Sequence, residues 1–132
     1  MRLFISYPGR DLDLLELLSN KIKFFSNELP FELEVIQPDR NFVPGEAWST
    51  RLREELEAAD IFFFLLTENS DCSKGQLIEV GIAWWLRKPV VPILYDFEHT
   101  DLPWYLRDFH ALHWSDLDSS LVPTLIQAQE RL

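Results

Sequence analysis

The chain has 132 residues, 47% of them hydrophobic and 26% charged, which is typical of one folded domain and excludes a disordered segment. Its formal net charge of −10 argues against direct binding to nucleic acid or to an anionic membrane surface. The single cysteine, Cys72, excludes an internal disulfide and a four-cysteine zinc site. Because the longest apolar run spans only 61–66 and no signal-peptide core follows Met1, we expect a cytoplasmic protein that does not contact a membrane.

Short apolar runs alternate with stretches of helical periodicity. In chain order they predict a strand at 3–5, a helix at 11–28, a strand at 31–35, a helix at 46–59, a strand at 61–66, a helix at 75–87, a strand at 89–95, a strand at 109–114 and a helix at 117–132. This alternation predicts one α/β domain over 1–132, in which helices cover both faces of a parallel sheet.

Local signals refine three of these elements. Asp11 is placed to cap the first helix through its side chain. Trp48, Leu52 and Leu56 are expected to be buried by the second helix, and Ile78, Ile82 and Trp85 form one apolar stripe on the third. The loop over 96–108 is long, and we place a helical turn at 104–107.

Ligands of parallel sheets bind beyond the carboxyl ends of the strands. Any site should therefore involve the loops at 6–10, 37–45, 69–74 and 96–101. Neither a GxGxxG motif nor a Walker loop is present, although the Pro8-Gly9 turn leads into a helix start, where an anion can bind. His110 and His113 lie three apart in the predicted strand and point to opposite faces, so we predict no metal site.

Glu79 is the unusual residue, because almost all of its neighbours in the segment 75–85 are apolar. It lies near the start of a predicted helix, where the helix dipole favours an ionised carboxylate. On composition alone, it is either a solvated helix position or a carboxylate that faces a pocket.

Five short segments follow one another at a characteristic spacing. They are Leu3-Phe4-Ile5-Ser6-Tyr7 with Asp11, the loop from Asp39 to Gly45 with Trp48, Glu57-Ala58-Ala59-Asp60 before 61–66, Ser70-Asp71-Cys72-Ser73 with Glu79, and Pro89-Val90-Val91-Pro92-Ile93. In this order they resemble the TIR (Toll/interleukin-1 receptor) domain over nearly the whole chain. The resemblance implies a flavodoxin-like sheet with strand order 2-1-3-4-5.

Resemblance to the prokaryotic, NAD-consuming branch of this family implies that Glu79 is catalytic in cleaving the nicotinamide–ribose bond of NAD+. One carboxylate can suffice, because nicotinamide leaves as a neutral molecule and only an oxocarbenium-like ribose needs stabilising. NAD+ is then the substrate and no cofactor is needed. The products would be nicotinamide and ADP-ribose or a cyclic ADP-ribose, in antiphage immune signalling through a downstream effector or a fused domain.

Seven residues in and beside the loops at this edge of the sheet are the candidates for binding the substrate. They are Ser6, Tyr7, Arg10, Phe42, Trp48, Ser70 and Ser73. Against the −10 charge of the chain, Arg10, Arg40 and Lys74 are the candidates to hold the diphosphate, or else they are solvated surface residues. Gly75 and Gln76 stand where active members often carry Trp and Cys, so a flat surface for a base would have to come from elsewhere, with Tyr7, Phe42 and Trp48 as candidates.

Two other functions stay open. The first is a non-enzymatic TIR interaction module that self-associates through TIR surfaces, including loop 37–45. The second is an N-glycosidase or transferase, because 74–83 followed by Arg87-Lys88-Pro89 also resembles the nucleoside 2-deoxyribosyltransferases. In that resemblance, too, Glu79 would be the carboxylate that acts at a ribosyl carbon.

Overall fold

The computed structural model describes residues 1–36, 48–98 and 101–132, except for the side chains of 48–51 and 72. Its strands are β1 (Arg2–Ser6), β2 (Glu34–Ile36), β3 (Ile61–Leu66), β4 (Val90–Leu94) and β5 (Leu112–His113). Its α-helices are α1 (Leu12–Ser26), α2 (Trp48–Ala58), α3 (Lys74–Trp85) and α4 (Leu117–Glu130). Short 3-10 helices span Gly9–Asp11, Glu68–Cys72, Trp104–Leu106 and Trp114–Asp116. Over the described ranges, no helix is both long enough and apolar enough to cross a membrane.

The five strands form one parallel sheet in the order β2-β1-β3-β4-β5, which confirms the expected fold. β3 lies at its centre, and every one of its residues is buried. An unbroken apolar run of this kind is typical of a strand that is covered on both faces.

Alternate residues of the central strands separate two cores. Leu3, Ile5 and Phe63 pack with α1 and α4 on one face of the sheet. Phe4 and Phe62 pack with α2 and α3 on the other face, where their rings stack at 5.3 Å. This alternation follows from the twofold side-chain period of a strand.

The last strand is shorter than expected. The sequence predicts a strand over 109–114, whereas β5 contains only Leu112 and His113. Phe109 follows a 3-10 helix and packs against the α2/α3 core, and Trp114 begins another 3-10 helix. Burial of these aromatic rings therefore comes from turns rather than from sheet pairing.

The core of the central strand gives a test of this architecture. Phe63→Ala should lower the free energy of unfolding by about 3–5 kcal/mol, because it removes a fully buried ring from the α1/α4 core. The matched control is Phe24→Ala, since Phe24 is 70% exposed on α1 and should change stability by no more than about 0.5 kcal/mol. Urea unfolding monitored by circular dichroism measures both variants. Equal effects of the two substitutions would contradict the burial of Phe63 in this core.

Candidate functional site

The carboxyl ends of β1 and β3 meet the start of α3 at one edge of the sheet. Ser6 ends β1 and is fully buried, and its Oγ donates a 3.0 Å hydrogen bond to Oε1 of Glu79. Glu79 is only 1% exposed. The contact joins residues 73 positions apart, so it depends on the whole sheet rather than on a local turn.

Glu79 is buried because it lies on the face of α3 that packs against the sheet, where two polar residues stand beside two apolar ones. This inner face carries Gln76, Glu79, Val80 and Ala83, all buried. Of the apolar stripe on this helix, Ile82 is half-buried against the core, whereas Ile78 is 41% exposed and Trp85 is 83% exposed. A polar inner face costs stability unless its groups are hydrogen-bonded. The arrangement therefore favours the interpretation of Glu79 as a functional carboxylate over that of a solvated helix position.

Gln76 ties this inner face to both central strands. Its Nε2 donates to the backbone oxygen of Leu65 at 2.8 Å and to that of Ser6 at 3.3 Å. Ser73 caps the same helix, because its Oγ accepts a hydrogen bond from the Gln76 backbone N–H. The first turn of α3 is thus fixed to the ends of β1 and β3, which positions Glu79 one turn later.

Asp11 holds the two loops of this edge together. The sequence predicts it as a side-chain cap of α1, and that prediction is wrong, because its side chain makes no capping bond. Instead its carboxylate accepts hydrogen bonds from Thr67 Oγ1 at 2.6 Å and from Asn69 Nδ2 at 2.7 Å. The loop after β1 is therefore joined to the 3-10 helix Glu68–Cys72 after β3.

A cleft of about 310 Å³ opens between these two loops. It is lined by Pro8, Gly9, Arg10, Asn69, Ser73, Lys74 and Gly75. Arg10 and Lys74 bring two positive charges to one place in a chain of net charge −10. The N-terminus of α3 adds the partial positive charge of its dipole. The cleft is therefore suited to an anion.

The segment between β4 and β5 also lies near this edge, because Tyr105 interacts with Asp71. Tyr105, on the 3-10 helix after β4, has its pKa raised above the usual 10.0, first by burial and then by the negative charge of Asp71. The helix that contains Asp71 also supplies Asn69 to the cleft. Over the described ranges, no three His, Cys, Asp or Glu side chains come together in a way that could hold a metal ion.

Comparison with known proteins decides the family. The sequence model of the TIR domain matches residues 3–126. The chain belongs to the TIR domain family. No curated protein sequence matches this TIR domain.

Solved structures share the fold, among them the following two. The TIR domain of the Toll-related receptor TRR-2 from Hydra magnipapillata is 16% identical with a TM-score of 0.71, over 95% of this chain and 94% of that one. The TIR domains of the activated Roq1 resistosome, which directly recognises the pathogen effector XopQ, are 16% identical with a TM-score of 0.56, over 98% of this chain and 79% of that one. At this identity the likeness shows the fold alone.

The TIR fold brings together several residues that were predicted from sequence. Arg10, Ser73 and Lys74 line the cleft, and Ser6 contacts Glu79. The sequence leaves open whether Glu79 faces a pocket; in the structure it lies in the interior and does not line this cleft. The reason is that Glu79 is on the inner face of α3, whereas the cleft borders only the first residues of that helix.

Other predicted residues have different places. Tyr7 is only 8% exposed, and it packs in the α1/α4 core rather than lining the cleft. Ser70 belongs to the capping box of the 3-10 helix, where its Oγ accepts from the Thr67 backbone N–H at 3.0 Å. Phe42, Arg40 and the side chain of Trp48 lie outside the described residues, as does the rest of loop 37–45.

Gln76 is the site residue that sequence reasoning missed. The one available signal was a polar side chain three positions before Glu79 in an apolar segment, so that both lie on one helix face. Its two acceptors belong to distant strands, and no local pattern points to them.

The bridging role of Gln76 is testable. Gln76→Met should lower the free energy of unfolding by about 1–3 kcal/mol, because the carbonyls of Ser6 and Leu65 lose a buried donor. Gln127→Met makes the same chemical change at an exposed position of α4 and should be nearly neutral. Thermal unfolding compares the two variants. An unchanged stability of Gln76→Met would show that the hydrogen bonds of Gln76 do not hold α3 to the strands.

Proposed function

We propose that this TIR domain cleaves the nicotinamide–ribose bond of NAD+ and releases nicotinamide with ADP-ribose or a cyclic ADP-ribose. The observation that carries the proposal is the buried Glu79 carboxylate, held by Ser6 Oγ at the edge of the sheet where ligands of this fold class bind. Membership of the TIR domain family supports it, because that family includes enzymes that cleave NAD+ as well as signalling modules.

The proposed reaction needs a single carboxylate. The bond between the ribose C1′ and the nicotinamide nitrogen breaks, and its electron pair neutralises the pyridinium ring, so no acid has to protonate the leaving group. Positive charge then develops on the ribose, where a carboxylate stabilises it. Attack by water, followed by loss of a proton, gives ADP-ribose; attack by another nucleophile of the same molecule gives a cyclic product.

The charged cleft lies close enough to Glu79 to serve the same substrate. Gly75 lines the cleft and precedes Glu79 by four residues on α3, which is about 6 Å along a helix axis. On the β1 side, Pro8 follows Ser6 by only two residues. We infer that Arg10 and Lys74 bind the diphosphate while the attached ribose reaches Glu79.

Substrate can reach Glu79 only after a rearrangement, because this residue is just 1% exposed. Ser6 Oγ is the group that contacts it, so ribose hydroxyls would replace or share this donor. Ser6 is therefore proposed as a positioning residue that aims the carboxylate before substrate arrives.

The biological setting belongs to the same proposal. Resemblance to prokaryotic TIR enzymes supports a cytoplasmic role in antiphage signalling, in which the released ADP-ribose product acts on a downstream effector. A second function, as an interaction module, is favoured by the apolar outer face of α3, and the Roq1 TIR domains in their resistosome provide a parallel for assembly.

The carboxylate gives the decisive variant. Glu79→Gln should reduce nicotinamide release from NAD+ by about 10²–10³-fold, because it removes the charge that stabilises the ribosyl cation. Purified protein, NAD+ and mass spectrometry of the products measure this. Glu16→Gln makes the same change at an exposed position of α1 and should retain full activity. Full activity of Glu79→Gln would overturn the assignment.

The cleft gives a separate prediction. Arg10→Glu and Lys74→Glu should each raise the Michaelis constant for NAD+ by about tenfold through loss of attraction to the diphosphate, with a smaller change in kcat. Lys23→Glu, at an exposed position of α1, introduces the same charge change away from the cleft and should leave the Michaelis constant unchanged. A common effect of all three variants would indicate a general charge effect and would remove the cleft from the substrate site.

A further inference from the structure

The amide of Gln76 has one polar atom that none of its own contacts explains. The side chain is only 1% exposed, and its Nε2 donates to the backbone oxygens of Ser6 and Leu65. Its Oε1 is also buried, and it accepts no hydrogen bond from any residue that the structure describes. A buried acceptor without a donor costs free energy, so this atom, beside the buried Glu79, points to a donor that a ligand brings.

The orientation of this amide is fixed by its contacts with the two strands. Exchange of the amide nitrogen and oxygen would place Oε1 against the carbonyl oxygens of Ser6 and Leu65, which are acceptors themselves. Nε2 therefore faces the strands, and Oε1 remains available to another donor. The ligand that satisfies Oε1 must carry an O–H or an N–H group.

Gln76 and Glu79 place two kinds of acceptor side by side. They are three residues apart on the buried face of α3. Residues at this spacing are neighbours on a helix surface, about 4.5 Å apart along the axis. An ionised carboxylate carries only acceptor oxygens, and the amide of Gln76 adds one more. A ligand with two hydroxyl donors on adjacent carbons, such as the 2′,3′-diol of a ribose, matches this pair.

The direction of α3 matches the order of the groups in NAD+. From the start of the helix, Lys74 lines the charged cleft, Gln76 follows two residues later, and Glu79 follows three residues after that. In the nicotinamide half of NAD+, the diphosphate, the 3′-hydroxyl, the 2′-hydroxyl and the reacting carbon C1′ come in the same order. With the diphosphate at Lys74 and C1′ at Glu79, the 3′-hydroxyl lies nearest to Gln76.

We propose that Gln76 Oε1 accepts a hydrogen bond from the 3′-hydroxyl of the nicotinamide ribose, which makes Gln76 a specificity-determining residue. This inference rests on the proposed cleavage of NAD+ and adds a second ribose-binding residue to it. Glu79 then receives the 2′-hydroxyl and faces C1′. A rearrangement that opens Glu79 to substrate also opens Gln76, because the two side chains lie one turn apart on the same helix face.

The two acceptors also distinguish a ribosyl from a 2-deoxyribosyl substrate. A 2-deoxyribose has no hydroxyl at C2′, so one of the two acceptors would find no donor in it. A buried acceptor that is left unpaired disfavours binding of such a substrate. The pair therefore favours NAD+ over the 2-deoxyribosyl nucleosides that the resemblance to nucleoside 2-deoxyribosyltransferases would imply.

The first test compares NAD+ with an analogue that lacks the 3′-hydroxyl of its nicotinamide ribose. The wild-type chain should cleave the analogue with a kcat/KM at least about tenfold lower, because Gln76 Oε1 stays unpaired. Intrinsic reactivity cannot explain such a loss, since removal of an electron-withdrawing hydroxyl makes the ribosyl cation easier to form. Cleavage of both substrates with equal kcat/KM would overturn the proposal, and this comparison needs no variant that has to fold.

The second test asks whether Gln76 is the source of this preference. In Gln76→Met, the ratio of kcat/KM for NAD+ to that for the 3′-deoxy analogue should be about tenfold smaller than in the wild-type chain. The matched control is Ser73→Ala, which removes the cap of the same helix turn but leaves Oε1 in place, so that its ratio should equal that of the wild type. A purely structural role of Gln76 would affect both substrates alike, and an unchanged ratio in Gln76→Met would therefore contradict the proposal.

An analogue that lacks the 2′-hydroxyl tests the assigned order along the helix. Gln76→Met should keep the wild-type ratio of kcat/KM between NAD+ and this analogue, because the 2′-hydroxyl faces Glu79. A change in the 2′ ratio in place of the 3′ ratio would contradict the assignment of Gln76 to the 3′-hydroxyl.

Titration calorimetry separates this inference from the proposed cleavage. If the wild-type chain binds NAD+ but releases no nicotinamide, the proposed function fails, and the dissociation constants of NAD+ and the 3′-deoxy analogue are compared instead. Binding of the analogue that is about tenfold weaker than that of NAD+ to the wild-type chain, but not to Gln76→Met, supports the ribose contact. Equal binding of the two ligands to the wild-type chain, or no binding of NAD+, overturns it.

Discussion

The contact between Ser6 and Glu79 is the constraint on which the site depends. Burying a carboxyl group costs stability unless hydrogen-bond donors are placed beside it, and Glu79 is only 1% exposed. Ser6 supplies one donor from the end of β1, and Gln76 fixes the first turn of α3 to β1 and β3. The position of Glu79 therefore depends on strand register as much as on its own helix.

A second set of hydrogen bonds connects the loops at the same edge of the sheet. Asp11 joins the loop after β1 to the segment after β3 through Thr67 and Asn69. These hydrogen bonds hold the walls of the Arg10/Lys74 cleft at a defined separation. Binding of a charged substrate benefits from such rigidity, because less order has to be imposed when the ligand arrives.

Much of the fold could be predicted from sequence, since the signals for it are local. The run over 61–66 is apolar throughout, and β3 covers the same residues. The leucines of α1 recur at helical spacing, and Leu14, Leu15, Leu18 and Ile22 are all buried. The strand order came from the family resemblance, because local periodicity carries no information on which strands are neighbours.

The errors fall where distant contacts override local preference. Asp11 is a residue type that often caps helices, but its carboxylate instead accepts hydrogen bonds from two side chains that follow β3. On α3, Ile78 and Trp85 of the apolar stripe are exposed, and the buried side carries Gln76 and Glu79. Residues of a site can break the rule that polar groups face outward, so a prediction based on that rule fails at those positions.

The central claim is that this TIR domain cleaves NAD+ through an oxocarbenium-like ribose, the charge that Glu79 is proposed to stabilise. The most direct measurement is the secondary isotope effect on kcat/KM for NAD+ carrying deuterium at C1′ of the nicotinamide ribose. The account predicts that the deuterated substrate reacts more slowly, because C1′ changes from tetrahedral to planar as the oxocarbenium-like ribose forms. Equal rates for the two substrates, or no release of nicotinamide from either, would contradict it.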